Sequence, residues 1–259
     1  PGVPHDIQPE QYRSVSHMLE ESFKKNAQRP FSVCMDRWMS YGELDSLSSS
    51  LGAWLQSQGL EPGARVALML PNIPQFAVTM AAILRAGYTC VNVNPLYTAR
   101  ELEHQLKDSG ATTIVILENF AHTLQEVIDK TPVKTVVLTS MGDLLGAVYG
   151  RWITFAVRHL AKMVPAFELP RDNGRKVVAF SDALAKGHSL TLKPANNDHD
   201  SIAFLQYTGG TTGLSKGAVL THRNIIAATL QAEAWFTPAL SRVGDPTKSN
   251  SIAALPLYH

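Results

Sequence analysis

The feature that most constrains this chain is an alternation running from residue 65 to residue 138. Short apolar runs at residues 65–70 (RVALML), 89–93 (TCVNV), 112–117 (TTIVIL) and 135–138 (TVVL) are too short for helices and read as buried strands. Between them lie segments of helical length. Residues 74–85 carry a proline in the first turn and Gly87 just beyond the end, which are start and stop signals. Thr98 with Glu101 is a capping box for a helix through Lys107, and residues 120–130 read as a further helix. Strands alternating with helices at this spacing predict βαβ units. The expected class is therefore α/β, a mainly parallel sheet flanked by helices on both faces.

Upstream, Val15, Met18, Leu19 and Phe23 recur at helical spacing behind a serine cap in residues 14–27, and residues 31–35 alternate as a short strand. Ser40 with Glu43 forms another capping box, opening a helix over residues 41–58 that Gly59 stops. The 259 residues are 45% hydrophobic, enough to bury a sizeable core. A net charge of +1 supplies no global attraction for nucleic acid, which is not expected as a partner. Cys34 and Cys90 lie in apolar runs and read as core thiols of a reducing compartment. The N-terminus has no charged-then-apolar leader, and no window reaches about eighteen consecutive apolar residues. A cytoplasmic protein is expected. No dinucleotide fingerprint follows any strand of the first half, and His104 and His122, among polar neighbours on helical stretches, read as solvated.

The chemistry concentrates in residues 208–217, TGGTTGLSKG. Three glycines among residues 208–213 free the backbone to bring several N–H groups to one anion. Thr208, Thr211, Thr212 and Ser215 add hydroxyl donors, and Lys216 adds a full positive charge. That is the composition of a phosphate cradle. The register excludes a Walker A loop, because Lys216 follows Ser215 and precedes Gly217, and the kinase companions HRD and DFG are absent. Residues 201–207 before the loop read as a buried strand and residues 218–220 after it as a second, making the loop a strand-to-strand connection.

Residues 205–216, LQYTGGTTGLSK, resemble the AMP-binding signature of the adenylate-forming enzymes at all twelve positions. VNPLYTARELEHQLKDSGA, FAHTLQEVIDKT, FLQYTGGTTG, KGAVLTHRN and ALPLYH follow in the order and surroundings found in bacterial long-chain fatty-acid CoA ligases, a resemblance covering nearly the whole chain. It implies that a fatty-acid carboxylate attacks the α-phosphate of Mg-ATP to give an acyl-adenylate and pyrophosphate, after which the thiol of CoA displaces AMP. The implied cofactors are ATP, Mg2+ and CoA, the last bound mainly by parts outside these residues. The nucleotide-binding positions implied are Tyr207, Thr208, Gly209, Gly210, Thr211, Thr212, Gly213, Leu214, Ser215 and Lys216. Lys216 and His259 carry catalytic roles, the latter near the acyl pocket, and Thr208 a magnesium ligand.

The resemblance also implies an N-terminal part of the large AMP-binding domain: an α/β subdomain over about 1–140, a helical insertion and connection over 141–200, and a phosphate-loop segment over 201–259. The family's glutamate motif, ribose-binding aspartate, hinge and small C-terminal domain are not found in the 259 residues, so the chain alone is expected to be inactive. Two other readings stay open: a superfamily member acting on an aryl or amino acid, and a non-enzymatic nucleotide-binding module. Homodimer formation is also left open.

Two further stretches carry expectations. Residues 144–167 contain no acidic residue; Leu144, Leu145, Val148, Trp152, Phe155, Leu160 and Met163 repeat at helical spacing, bordered by Arg151, Arg158 and Lys162. This fits peripheral contact with the inner face of the cytoplasmic membrane, or a helix packed on its own domain. Residues 241–251 read as a polar loop and residues 252–257 as a strand leading to Tyr258 and His259.

Overall fold

The computed structural model describes every residue except 1, 173, 209–214, 245–248 and 259. Helix α1 (Val15–Asn26) precedes a two-stranded antiparallel ribbon, β1 (Pro30–Cys34) and β2 (Arg37–Ser40). The second strand is not expected from the sequence. Its turn places Met35 and Asp36 at φ +48° and +60°, the backbone of a tight hairpin turn without the asparagine and glycine that usually announce one.

Among the described residues, seven strands form the main sheet in the order β7-β6-β5-β3-β4-β8-β9. They are β3 (Arg65–Met69), β4 (Thr89–Asn92), β5 (Thr113–Leu117), β6 (Thr135–Thr139), β7 (Lys176–Ala179), β8 (Ile202–Thr208) and β9 (Lys216–Thr221). All neighbours are parallel except β9, which returns antiparallel to β8. Period-two alternation divides the core in two. Val66, Leu68, Cys90 and Phe204 pack on one face with α1, α2 (Tyr41–Ser57), α3 (Pro74–Arg85) and α7 (Phe180–His188). Ala67, Met69, Val91, Leu205 and Tyr207 pack on the other with α4 (Ala99–Ser109) and α5 (Ala121–Gln125). The expected α/β class is what the structure shows.

Both expected capping boxes form with reciprocal bonds, Ser40 with Glu43 and Thr98 with Glu101, each cap contributing about 1 kcal/mol. A third, Thr221 with Asn224, opens the long helix α8 (His222–Val243). Arg85 fastens the first face: its guanidinium is buried, pairs with Asp45 of α2 at 2.8 Å and lies over the Phe23 ring of α1. Cys90 is a core thiol whose ionisation burial opposes. Cys34, on the ribbon, is only half-buried and so not a core thiol.

Several expectations are corrected. Residues 120–130 are not one helix: α5 is flanked by 3-10 turns Glu118–Phe120 and Ile128–Lys130, and Val127 leaves the helical region at φ −127°, which lets Val127 and Ile128 both reach the core. Residues 241–243 belong to α8 rather than to a loop. Residues 252–257 form no strand, because a side chain takes up their backbone groups, as described below.

The stretch over 144–167 becomes α6 (Ala147–Phe155), widening into a π-helical turn at Ala156–Leu160. Leu145 is buried, but Val148, Trp152, Phe155, Leu160 and Met163 are each more than half exposed. Leu144 and Leu145 at its start pack on the domain, and the rest of the stripe does not. α6 leans on the body through glycine instead, since a Cβ on Gly150 would fall 2.1 Å from the carbonyl oxygen of Gly142. Arg158 is held by Glu118, its Nε donating at 3.0 and 2.9 Å and its Nη2 at 2.6 Å.

Candidate functional site

In an open parallel sheet, ligands bind outside the carboxyl ends of the strands where the strand order reverses. Here the connection from β3 runs to β4 on one side and that from β5 to β6 on the other, so the order reverses between β3 and β5, and the crevice described below lies next to that point, at the carboxyl ends of β3, β4 and β8. β3 runs out towards Asn72, β4 ends at Asn92, and β8, next to β4, ends at Gln206, Tyr207 and Thr208.

Side-chain amides organise this crevice. Asn92 Nδ2 donates to Gln206 Oε1 at 2.9 Å, and Gln206 Nε2 donates to the carbonyl of Tyr258 at 2.7 Å. Asn72 Nδ2 donates to the carbonyls of Ala253 and Leu255 at 2.8 and 2.7 Å, while its Oδ1 accepts the N–H of Leu257 at 2.8 Å. Residues 253–258 are thereby laid across the crevice with backbone groups satisfied by Asn72 rather than by a neighbouring strand, which is why the expected strand does not form.

At the outer end of the β8–β9 hairpin, Thr208 and Lys216 stand directly opposite each other. Cross-strand partners share a face, and both are exposed. Among the described residues Lys216 makes no ion pair, so its charge is uncommitted. Tyr207, one position back, is on the opposite face. Its phenol donates to Asp108 Oδ2 of α4 at 2.5 Å, and burial together with that carboxylate pushes its pKa up, keeping the donor protonated. Gly217 faces the Tyr207 ring, where a Cβ would come within 3.0 Å; this position needs glycine for a close approach rather than for a ligand. The carbonyl of Ser215 accepts from His104 Nε2 at 3.0 Å. His104 is half-buried and engaged, not solvated as its polar neighbours suggest.

Of the residues implied for nucleotide binding, Thr208, Ser215 and Lys216 come together, and Tyr207 reaches α4. Gly209, Gly210, Thr211, Thr212, Gly213, Leu214 and His259 lie outside the described residues. Sequence reasoning missed Asn72 and Gln206. Gln206 does carry a signal: a carboxamide between Leu205 and Tyr207 in a buried strand requires a partner. Asn72 sits in a proline-rich turn and carries none.

The AMP-binding enzyme family model matches residues 19–259. The chain belongs to that family. The long-chain-fatty-acid–CoA ligase of Escherichia coli O157:H7 is 46% identical over 258 residues, covering 99% of this chain and 44% of the relative. 4-Coumarate–CoA ligase 5 of Oryza sativa subsp. japonica is 28% identical over 242 residues, 92% of this chain and 38% of the relative. Among solved structures, a long-chain-fatty-acid-CoA ligase from Archaeoglobus fulgidus superposes with a TM-score of 0.66 at 25% identity, covering 90% of this chain and 41% of that one. This AMP-binding chain thus spans about 44% of the length of the Escherichia coli ligases it matches. In an AMP-binding enzyme, an exposed lysine opposite a threonine hydroxyl at the carboxyl edge of the sheet is suited to an anion: one full charge and a rotatable donor face the same space.

Proposed function

We propose that the protein carrying this chain is a long-chain fatty-acid CoA ligase that activates its carboxylate as an acyl-adenylate at the expense of ATP. The observation that carries the reading is the Thr208–Lys216 pair at the mouth of the hairpin, joined by the glycine- and threonine-rich residues 209–214. The choice of a long-chain acid over an aryl acid is supported by 46% identity to the long-chain ligase against 28% to the coumarate ligase.

Lys216 holds the β- and γ-phosphate end of ATP and offsets the charge that accumulates there as pyrophosphate departs, which is where a positioned cation accelerates such a reaction most. The Thr208 hydroxyl is exposed on the same face and is the residue proposed to hold magnesium, an ion that when bound neutralises phosphate charge. Asn72, Asn92 and Gln206 fix residues 253–258 and so the approach to His259, proposed at the acyl side. CoA enters in the second half-reaction.

A membrane surface is the proposed further partner. No described helix is long and apolar enough to cross a membrane, but the outward stripe of α6 with exposed Arg151 on the helix and exposed Lys162 just past its π-helical turn suits an anionic surface from which a lipid-soluble acid is taken. Arg158 contributes less than its position implies, because Glu118 neutralises it.

The test of the function is turnover by the full-length protein with ATP, magnesium and CoA. Formation of palmitoyl-CoA and pyrophosphate from palmitate is expected. Turnover of coumarate or an amino acid in preference to palmitate, or nucleotide binding without turnover, overturns the reading.

A further inference from the structure

We infer that α4 is a bracket that sets the position of both stems of the phosphate loop, with His104 and Asp108 as positioning residues for the adenylation step; this rests on the ligase reading above. His104 and Asp108 are four residues apart on one helix, so their side chains project from one face a single turn apart. Each grips a different stem. Asp108 accepts the phenol of Tyr207, the residue before Thr208, at 2.5 Å. His104 donates from Nε2 to the carbonyl of Ser215, the residue before Lys216, at 3.0 Å.

The bracket is itself rigid. Its first turn is closed by the Thr98–Glu101 capping box, Leu102 and Leu106 are fully buried, and Gln105 Nε2 donates to the carbonyl of Asn92 at 2.7 Å. The last bond ties α4 to the carboxyl end of β4, at the same crevice. A helix anchored on the sheet thus holds each end of the connection at a fixed spacing, where the hairpin alone would allow twisting about the β8–β9 pair. Such a device matters because misplacing a reacting group by about 1 Å can cost on the order of a hundredfold in rate.

The roles of the two groups follow from their hydrogen bonds. The Nε2 of His104 is committed as the donor to the Ser215 carbonyl, and its part in the bracket is that bond. Asp108 is turned to the face opposite Lys216, and its charge is met by the phenol, so it does not compete with phosphate for the lysine.

The experiment uses the full-length protein with His104→Ala, His104→Gln, Asp108→Ala and the His104/Asp108 double alanine variant, with Lys216→Ala in parallel, reading ATP–pyrophosphate exchange and thermal unfolding. His104→Ala is expected to lower kcat/KM for MgATP about tenfold, the effect of losing one aligned hydrogen bond at a site that demands position. KM for palmitate and the melting temperature should stay unchanged. His104→Gln, whose Nε2 can still reach the carbonyl, should recover to within about twofold with an unaltered pH profile. The double variant should deviate from additivity, because both residues act through one loop.

The inference is overturned if His104→Ala leaves exchange intact while Lys216→Ala slows it, if the MgATP and palmitate parameters fall together, or if the loss tracks a lowered melting temperature. A pH profile displaced in His104→Gln overturns the positioning role in favour of proton transfer. If Lys216→Ala itself leaves exchange unchanged, the phosphate-loop reading fails first and the bracket with it.

Discussion

The backbone N–H of Val15 donates to Nδ1 of His222 at 3.0 Å, joining the first turns of α1 and α8 across 207 positions of sequence. Because Nδ1 accepts, the ring proton sits on Nε2, an atom with no partner among the described residues. His222 is fully buried, and burial lowers its pKa to about 4.

A sign follows for acid stability. Between pH 6.5, the ordinary histidine value, and about pH 4 the unfolded chain binds a proton that the folded one refuses, so stability rises with pH across that window. The contribution is fully present above the unfolded value and lost as pH falls towards 4, to an extent of at most about 3 kcal/mol. Denaturant midpoints recorded from pH 7 to pH 4 measure it. His222→Asn, whose Oδ1 stands where the ring Nδ1 does and can accept from Val15 without titrating, should flatten the curve; an equally steep curve would sink the account.

Replacing Lys216 by alanine removes the uncommitted cation at the mouth of the hairpin. Pyrophosphate exchange by the full-length protein should slow by roughly a hundredfold or more, the usual loss for one transition-state donor. Fatty-acid binding should change less than about twofold. Unchanged exchange would mean that this lysine is a solvated strand end.

Asn72→Ala unties residues 253–257, with Tyr258 still held by Gln206, while leaving the core alone. The freed groups are largely exposed, so the stability cost should stay near 1 kcal/mol. Limited proteolysis should find new cleavage at 249–258, and activity should fall. A cleavage pattern identical to that of the parent would show that the segment is held by something else.

Membrane contact is tested with Arg151→Glu and Lys162→Glu together, and separately with Trp152→Ser. Arg158 is left unaltered, since a glutamate there would face Glu118. Co-sedimentation with vesicles containing phosphatidylglycerol should drop for both variants, and more steeply with salt in the parent than in the double variant. Equal sedimentation of all three would remove the membrane from the account.

Much was legible locally. The capping boxes at Ser40 and Thr98, the proline start of α3 and the strand over residues 65–70 are short-range devices, and a chain that carries them forms them wherever they lie. The residues proposed for phosphate binding could be named from sequence for a related reason, since glycine, hydroxyl and lysine stand in one run. Residues 120–130 and 252–257 were misread where tertiary demands overrode a local pattern: burial of Val127 and Ile128 broke one element, and Asn72 took the backbone groups of the other.

The sequence by itself determined the α/β class and the order of most strands and helices, and it named the residues proposed to bind phosphate, because these depend on side-chain period and on composition within a few positions. Only the tertiary structure decided that His104 and Asp108 face the two stems of the hairpin, that Gln206 and Asn72 hold a segment far along the chain, and that the α6 stripe is bare. Those facts depend on which surfaces meet after the sheet assembles in the order β7-β6-β5-β3-β4-β8-β9. Pairing across 52 to 185 positions leaves no periodic trace in the residues that take part.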